Sequence, residues 1–177
     1  MSSPGQSGDV CVGSILFTDL VGFTEFTDAV GDAGALKVLD EQTEMANVVI
    51  DDRTDARIVK ELGDGLMLWF GSAADGLECA VALLGAVQSA RAEGTFPLAV
   101  RMGIHHGEAV SRGEDLVGRT VNIAARVSGL AGPGELLVSE SVVTACGASA
   151  RPLSLRPIGP TVMKGVGAPI WLHRVTV

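Results

Sequence analysis

The chain has 177 residues, of which 47% are hydrophobic and 19% are charged, and this composition predicts one globular domain and excludes a disordered or collagen-like chain. Lysine and arginine total 13 against 21 aspartate and glutamate residues, a formal net charge of −8, which argues against a nucleic-acid surface built on a general basic patch. The longest strongly apolar stretch, at 79–87, is about half of what a bilayer-spanning helix needs, so we expect no membrane segment.

The ends and the cysteines indicate the broad class of protein. The composition of residues 1–10 predicts a flexible tail, because this segment is rich in Ser and Gly and lacks the basic and apolar runs of a secretory signal. We expect residues 11–177 to form a single domain. Cys11, Cys79 and Cys146 have no CxxC or histidine spacing, which disfavours a zinc site or a disulfide framework. We therefore expect reduced thiols in a cytoplasmic protein.

Apolar periodicity and turn residues predict alternating strands and helices. In chain order, the predicted elements are a strand at 14–18, a helix at 33–51, a hairpin of strands at 56–62 and 66–70, a helix at 73–92 and a strand at 99–105. This βαββαβ order is typical of the ferredoxin-like α+β fold, in which one antiparallel sheet carries both helices on one face.

A C-terminal αβ extension follows this core. Its predicted elements are a strand at 108–110, a polar loop at 111–118, a helix at 120–128 and strands at 135–139 and 170–175. Residues 151–160 are rich in proline and too irregular to assign.

Two carboxylates are expected to meet at one edge of the sheet. Asp19 ends the first strand, and Asp64 lies in the glycine-flanked turn before the third strand, which pairs with the first in this fold. No lysine or arginine is predicted beside either residue. One interpretation is a site for hard divalent cations such as Mg²⁺, and the other is a pair of unrelated turn or cap residues.

The segment 20–24 leads from that strand into a helical start. Gly22 permits a close backbone approach, and the free N–H groups of a helix start suit a phosphate. A simple loop is the alternative interpretation.

Two basic residues lie on the predicted strands. Lys60 alternates with Ile58 and Leu62, so a regular strand places its ammonium on the same face as two apolar side chains. It either extends to the sheet edge or points into a site or interface, and we favour the second. Arg101 opens its strand, where an ordinary strand-end charge is the alternative.

A predicted helix carries a further pair of polar residues. Asn122 and Arg126 are four residues apart and therefore share one face, where they can reach a common ligand. Asp115 lies in the preceding loop and either joins that ligand or is a solvated turn residue. His105 and His106 face opposite ways on a strand, so we expect both to be structural.

Four segments together resemble the class III nucleotidyl cyclase catalytic domain, the homology domain of adenylate and guanylate cyclases. They occur in the family's order and with compatible spacing, and the resemblance extends over 15–175. The segments are FTDLVGFT at 17–24, KELGDG at 60–65, RMGIHHG at 101–107 and DLVGRTVNIAAR at 115–126.

The resemblance implies a symmetric homodimer with two active sites in the cleft between its subunits. It implies that Asp19 and Asp64 hold two divalent cations, Mg²⁺ or Mn²⁺, with help from the Leu20 carbonyl. Backbone amides near Phe23 and Thr24 would bind the triphosphate. The partner subunit would supply a second set of residues, which binds the base and the ribose.

In that second set, the resemblance implies that Lys60 and Asp115 contact the purine. Asn122 would orient the ribose, and Arg126 would meet the charge that develops at the α-phosphate. Apart from this set, and without a subunit being assigned to them, Arg101 and Lys164 would contact the distal phosphates.

The resemblance therefore predicts an adenylate cyclase. It would convert ATP to 3′,5′-cyclic AMP and pyrophosphate by metal-assisted attack of the ribose 3′-hydroxyl on the α-phosphate. We expect ATP over GTP because Lys60 and Asp115 complement the acceptor N1 and the 6-amino donor of adenine, whereas guanine reverses this polarity. A guanylate cyclase, or a homologue that binds nucleotide without catalysis, is the alternative.

Overall fold

The structure, a computed structural model, describes residues 8–150 and 153–176. A sheet of eight strands forms the centre of these residues. The elements in chain order are β1 (Val10–Leu20), α1 (Phe23–Ile50), β2 (Ala56–Leu62), β3 (Gly65–Phe70), α2 (Ala73–Ala92), β4 (Val100–Arg112), β5 (Asp115–Val117), α3 (Arg119–Leu130), β6 (Leu136–Ser139), α4 (Glu140–Cys146), a 3₁₀ turn (Gly147–Ala150), β7 (Ser154–Thr161) and β8 (Ile170–Thr176).

The strand order across the sheet is β2-β3-β1-β4-β6-β8-β7, and β5 pairs with the far end of β4. Strands β4 and β6 run parallel, and the other pairs are antiparallel. The β1–α1–β2–β3–α2–β4 part confirms the predicted ferredoxin-like α+β core. The remaining elements form the C-terminal extension.

Helices lie on both faces of this sheet. Leu16 of β1 packs into a core cluster with residues of α1 and α2, whereas the adjacent Ile15 packs into a cluster that contains Ala124 of α3. Successive strand residues point to opposite faces, so α1 and α2 cover one face and α3 covers the other. The side of the sheet that carries α3 is called the α3 face below.

Helix α1 begins ten residues earlier than the predicted start at residue 33. Residues 28–33 are all exposed, so this part of the helix has no apolar stripe from which a sequence pattern could be detected. Gly31 also leaves helical geometry, with φ 79° and ψ 173°, which interrupts the periodicity. The apolar periodicity therefore indicated only the second half of α1. The separately predicted helical start after Gly22 agrees with the observed start at Phe23, and Phe23 and Phe26 also pack against the core.

Strand β4 is continuous where two strands were predicted. Gly107 does not end a strand; it pairs with Gly13 in the β1–β4 register. A Cβ at Gly107 would lie 2.7 Å from Thr120 Oγ1, so the glycine makes room for α3 and does not form a turn.

Three further elements were not predicted. Strand β5 lies in the predicted polar loop, helix α4 follows β6 directly, and β7 occupies most of the unassigned proline-rich segment. Pro157 and Pro160 are compatible with β7 because it is the last strand of the sheet and its pairing with β8 is irregular between Pro157 and Gly159. Strand β1 begins at Val10, inside the predicted tail, and residues 1–7 lie outside the described residues.

The cysteines and the helices bear on the predicted class of protein. Cys11, Cys79 and Cys146 are free thiols, and the last two are buried. Among the helices of the described residues, none has both the length and the apolarity that crossing a bilayer requires.

Candidate active site

Backbone contacts hold the end of β1 against the turn that precedes β3. The Leu66 N–H donates to Thr18 Oγ1 over 3.0 Å. Gly65 lies so close to β1 that a Cβ there would be 2.2 Å from the Thr18 carbonyl oxygen. Asp19 and Asp64 are the neighbours of these residues, so the structure brings the two carboxylates to one sheet edge.

The two carboxylates interact electrostatically. Burial raises the pKa of Asp64, and the negative charge of Asp19 raises this pKa further. Two carboxylates in proximity disfavour joint ionisation, and a divalent cation between them would relieve that repulsion. The two carboxyl groups therefore offer oxygen ligands to a cation, which would favour their joint ionisation.

The oxygen donors present also fit Mg²⁺ or Mn²⁺. The described residues contain no cluster of three or more His, Cys, Asp or Glu side chains that could hold a metal. Mg²⁺ is commonly held by one or two carboxylates together with substrate phosphates and water. Asp19 and Asp64, with the Leu20 carbonyl, suit such an incomplete protein shell, which a nucleotide would complete.

Arg101 contacts the first of these carboxylates. It lies directly opposite Asp19 in the β1–β4 register, and its Nε and Nη2 lie 2.6 and 2.5 Å from Asp19 Oδ2. The expectation that neither carboxylate has a basic neighbour was therefore wrong. The two residues are 82 positions apart, so only strand pairing could reveal the contact.

Two residues separate the end of β1 from the start of α1. Gly22 adopts a left-handed conformation with φ 78° and precedes Phe23, the first residue of the helix. The Val21 N–H donates to the Ala99 carbonyl over 2.8 Å, which ties this turn to the segment before β4. The first amides of a helix lack intrahelical partners, so those at Phe23 and Thr24 are available to an anion close to Asp19.

Lys60 and Asp115 form an ion pair, with Lys60 Nζ 2.7 Å from Asp115 Oδ2. An irregularity in β2 makes this possible: Ile58 pairs with Leu68, but Lys60 pairs with Met67. Lys60 therefore lies on the α3 face, opposite to Ile58. The prediction that the two share a face was wrong because a bulge shifts the alternation by one residue. Lys60 points at a carboxylate that accepts its hydrogen bond, and its place in a binding site stays a prediction.

Further contacts hold Asp115 in place. The Leu116 N–H donates to Asp115 Oδ1 over 2.8 Å, and Arg57 of β2 donates to the Glu114 carbonyl over 3.4 Å. The hydrogen bond from Lys60 is the main cause that lowers the pKa of Asp115, so the carboxylate is ionised at neutral pH. Sequence reasoning missed Arg57, whose partner is a backbone atom 57 positions away.

Helix α3 lies tightly against β4. A Cβ at Gly103 would be 2.1 Å from the Ser128 nitrogen, so only glycine allows this approach. Thr120 Oγ1 donates to the Glu108 carbonyl over 2.5 Å at the start of the helix. These contacts set the depth at which α3 rests on the sheet.

Asn122 and Arg126 both lie on the exposed side of α3. Together with Lys164, which lies between β7 and β8, they line a cavity of about 470 Å³. The structure therefore brings together three of the predicted residues that are distant in sequence. Arg126 and Lys164 also line a cavity of about 300 Å³, and neither of these two cavities includes Asp19 or Asp64.

The two histidines make structural contacts. His105 Nδ1 lies 2.8 Å from Ser139 Oγ and 3.1 Å from Ser141 Oγ. His106 Nδ1 lies 3.0 Å from Ser14 Oγ. Both rings therefore bind neighbouring hydroxyls within the fold, as expected for structural residues.

Known proteins resemble this chain in sequence and fold. The family model of the adenylate and guanylate cyclase catalytic domain matches residues 6–173. A pH-sensitive adenylate cyclase of Mycobacterium tuberculosis is 32% identical over 166 residues, which are 92% of this chain and 40% of that protein. The chain spans less than half the length of this curated relative.

Two solved structures share the fold. The adenylyl cyclase CyaB of P. aeruginosa has a TM-score of 0.82 and 22% identity, over 96% of this chain and 95% of that one. The guanylyl cyclase Cya2 has a TM-score of 0.79 and 25% identity, over 96% and 94%. The chain belongs to the class III adenylate and guanylate cyclase catalytic domain family, whose members bind a nucleotide, use divalent metals and act as dimers.

Proposed function

We propose that the chain is an adenylate cyclase, which converts ATP to 3′,5′-cyclic AMP and pyrophosphate in sites shared between the subunits of a homodimer. The observation that carries the choice of base is the Lys60–Asp115 ion pair, with its 2.7 Å contact. A cytoplasmic location stays a prediction, which rests on the free thiols.

The polarity of this pair suits adenine. A lysine ammonium can only donate hydrogen bonds, and an ionised carboxylate can only accept them. Adenine presents the acceptor N1 beside its 6-amino donor, so Lys60 and Asp115 satisfy both atoms. Guanine presents a donor at N1 beside an acceptor at O6, which would require the opposite order of side chains.

The reaction is an attack of the ribose 3′-hydroxyl on the α-phosphorus of the same nucleotide, with pyrophosphate as the leaving group. Two divalent cations at Asp19 and Asp64, with the Leu20 carbonyl, would lower the pKa of the hydroxyl and stabilise the in-line displacement. The amides at Phe23 and Thr24 would hold the triphosphate at the helix start.

The other residues position the substrate and stabilise charge. Asn122 would orient the ribose, and Arg126 would meet the negative charge that develops on the α-phosphate. Lys164 and Arg101 would bind the distal phosphates. Nucleophile and electrophile belong to one molecule, so orientation and preorganised charge are the two contributions that the protein can make.

The distribution of these residues is compatible with a site shared in a homodimer. The carboxylates lie at the ends of β1 and β2, whereas Arg126 and Lys164 line cavities that do not contain the carboxylates. A symmetric pair of chains could bring the two groups together across the cleft, and so create two complete sites.

The test is a product assay with ATP and GTP in the presence of Mn²⁺. The unmodified protein is expected to form cyclic AMP faster than cyclic GMP. Lys60→Met is expected to reduce the preference for ATP over GTP by about tenfold to a hundredfold, the value of one hydrogen bond to a charged group.

Lys37→Met is the matched control. Lys37 also forms an ion pair with a carboxylate, but its side chain is 76% exposed on α1, so the preference should not change. Faster formation of cyclic GMP by the unmodified protein would identify a guanylate cyclase. Nucleotide binding without any cyclic product would identify a homologue without catalysis.

A further inference from the structure

Arg101 engages the carboxylate that the proposed function assigns to a metal ion. Both its contacts, at 2.6 and 2.5 Å, are to the same atom, Asp19 Oδ2. The two side chains are 40% and 30% exposed, so this is a pair at the mouth of a site and not a buried structural pair. They line a cavity of about 290 Å³ beside α3.

The contact has a consequence for a cation that enters the site alone. An oxygen that accepts two charged N–H bonds has its lone pairs engaged. A divalent cation at Asp19 must either displace the guanidinium or bind beside its positive charge. Both alternatives weaken the binding of a cation in the absence of nucleotide.

A triphosphate offers Arg101 a second partner. Guanidinium groups bind phosphate oxygens in the same forked geometry as carboxylates. The Val21–Ala99 hydrogen bond of 2.8 Å holds the start of α1 next to the residues that precede Arg101. An anion on the amides of Phe23 and Thr24 would therefore lie near this side chain.

We propose that Arg101 is an exchangeable counter-ion that couples metal binding to nucleotide binding. It neutralises Asp19 in the absence of ligands and transfers to the triphosphate when metal and nucleotide enter together. The inference rests on the proposed function, because it takes Asp19 as a metal ligand. It adds that Arg101 increases the cooperativity between the two ligands beyond what the contacts between metal and phosphates supply.

Thermodynamic linkage between metal binding and nucleotide binding sets the change in affinity that we expect. If nucleotide raises the affinity for metal, metal raises the affinity for nucleotide by the same factor, which is typically about 5- to 150-fold. Without Arg101, a metal ion alone should bind more tightly, because its competitor is gone. The nucleotide should then add less to the metal affinity.

The experiment measures Mn²⁺ affinity by titration calorimetry, with and without 3′-deoxyATP, which lacks the attacking hydroxyl and cannot be cyclised. Arg101→Met is expected to bind Mn²⁺ alone about fivefold more tightly than the unmodified protein. Its enhancement by nucleotide should be smaller by about the same factor, because the contacts between metal and phosphates supply the rest of the enhancement. Unchanged or weaker Mn²⁺ binding by Arg101→Met would overturn the inference.

Arg174→Met is the matched control. Arg174 forms a comparable ion pair, 2.7 Å from Glu135 on the same sheet, and its loss should leave Mn²⁺ affinity unchanged. If Arg101→Met does not fold by circular dichroism, Arg101→Lys replaces it. That variant keeps the positive charge but not the two N–H donors of the guanidinium. A reduced enhancement of Mn²⁺ affinity by nucleotide supports the inference, and a wild-type enhancement overturns it.

Asp19→Asn separates this inference from the proposed function. If Asp19→Asn binds Mn²⁺ as well as the unmodified protein, Asp19 is not a metal ligand, and both proposals fail. If Asp19→Asn loses Mn²⁺ and the enzyme forms cyclic AMP, but Arg101→Met keeps wild-type coupling, only the role of Arg101 is wrong.

Discussion

Arg126 stands on the exposed side of α3, one helical turn from Asn122. An exposed side chain contributes little to packing, so its removal tests chemistry with little effect on folding. The guanidinium is proposed to act on charge that develops only in the transition state. Interactions of that kind raise kcat and do not merely lower KM.

Arg126→Ala is therefore expected to lower kcat by about a hundredfold or more, the loss found when one group that stabilises transition-state charge is removed. Steady-state kinetics with ATP and Mn²⁺ give kcat and KM, and thermal unfolding checks that Tm is retained. A raised KM with normal kcat would show that Arg126 contributes only to ground-state binding.

His105 predicts a dependence of stability on pH. Burial, with smaller effects from the charges of His106 and Arg119, lowers the pKa of His105 to about 4 from the ordinary 6.5. Between these two values the unfolded chain binds a proton that the folded chain does not. The free energy of unfolding therefore falls as pH decreases from about 6.5 to about 4, by at most about 3 kcal/mol from this group.

His105→Gln removes this titration. The variant should be less stable than the unmodified protein at pH 7.5, because Gln replaces the ring that lies against Ser139 and Ser141. The difference between the two proteins should shrink as pH falls towards 4. Urea unfolding at four pH values measures it, and a difference that is independent of pH would contradict the argument.

Strand β2 and helix α3 show how an element sets the direction of a functional side chain. Strict alternation in β2 would place Lys60 beside Ile58, on the face of α1 and α2. The bulge places it opposite Met67 instead, on the side where β5 presents Asp115. A single extra residue in one strand therefore decides whether the proposed base-binding pair can form.

Two glycines with different surroundings test the position of α3. Gly103→Ala would place a Cβ 2.1 Å from backbone of α3, so we expect a loss of about 1–3 kcal/mol in stability and a lower kcat, because α3 carries Asn122 and Arg126. Gly85→Ala in α2 meets nothing within 4 Å and should stabilise the protein by about 0.5–1 kcal/mol. Thermal unfolding and the cyclase assay measure both, and equal effects would contradict the argument.

For the whole molecule, the proposal divides each active site between two chains. One chain would supply Asp19 and Asp64, and the other Lys60, Asp115 and Arg126. The specific activity, which is the rate per amount of protein, should then increase with protein concentration through the range in which dimers form.

Mixing two inactive variants tests this division. Asp19→Asn impairs the site to which a chain gives its carboxylates, and Arg126→Ala impairs the site to which it gives the guanidinium. In an equimolar mixture, half of the dimers are mixed and each has one intact site, so about a quarter of the normal activity should return. A mixture as inactive as its components would show that each chain contains its own complete site.

The βαββαβ core was predictable from the sequence because strand and helix patterns and glycine turns are local signals. The convergence of Asp19 and Asp64 followed from the strand order of that core. The helical start after Gly22 was predicted, but the apolar periodicity did not join it to the helix at residue 33, because residues 28–33 are all exposed. Strand β7 was missed because its prolines are compatible with a strand only at the sheet edge.

The sequence by itself determined which side chains were available and roughly which elements carry them. The tertiary structure decided which of them touch. Arg101 meets Asp19 through a cross-strand register, Lys60 meets Asp115 through a bulge, and Arg126 shares a cavity with Lys164 because β7 and β8 close beside α3. Each contact joins residues that are distant along the chain, and such contacts depend on how elements pair and pack, which no local pattern encodes.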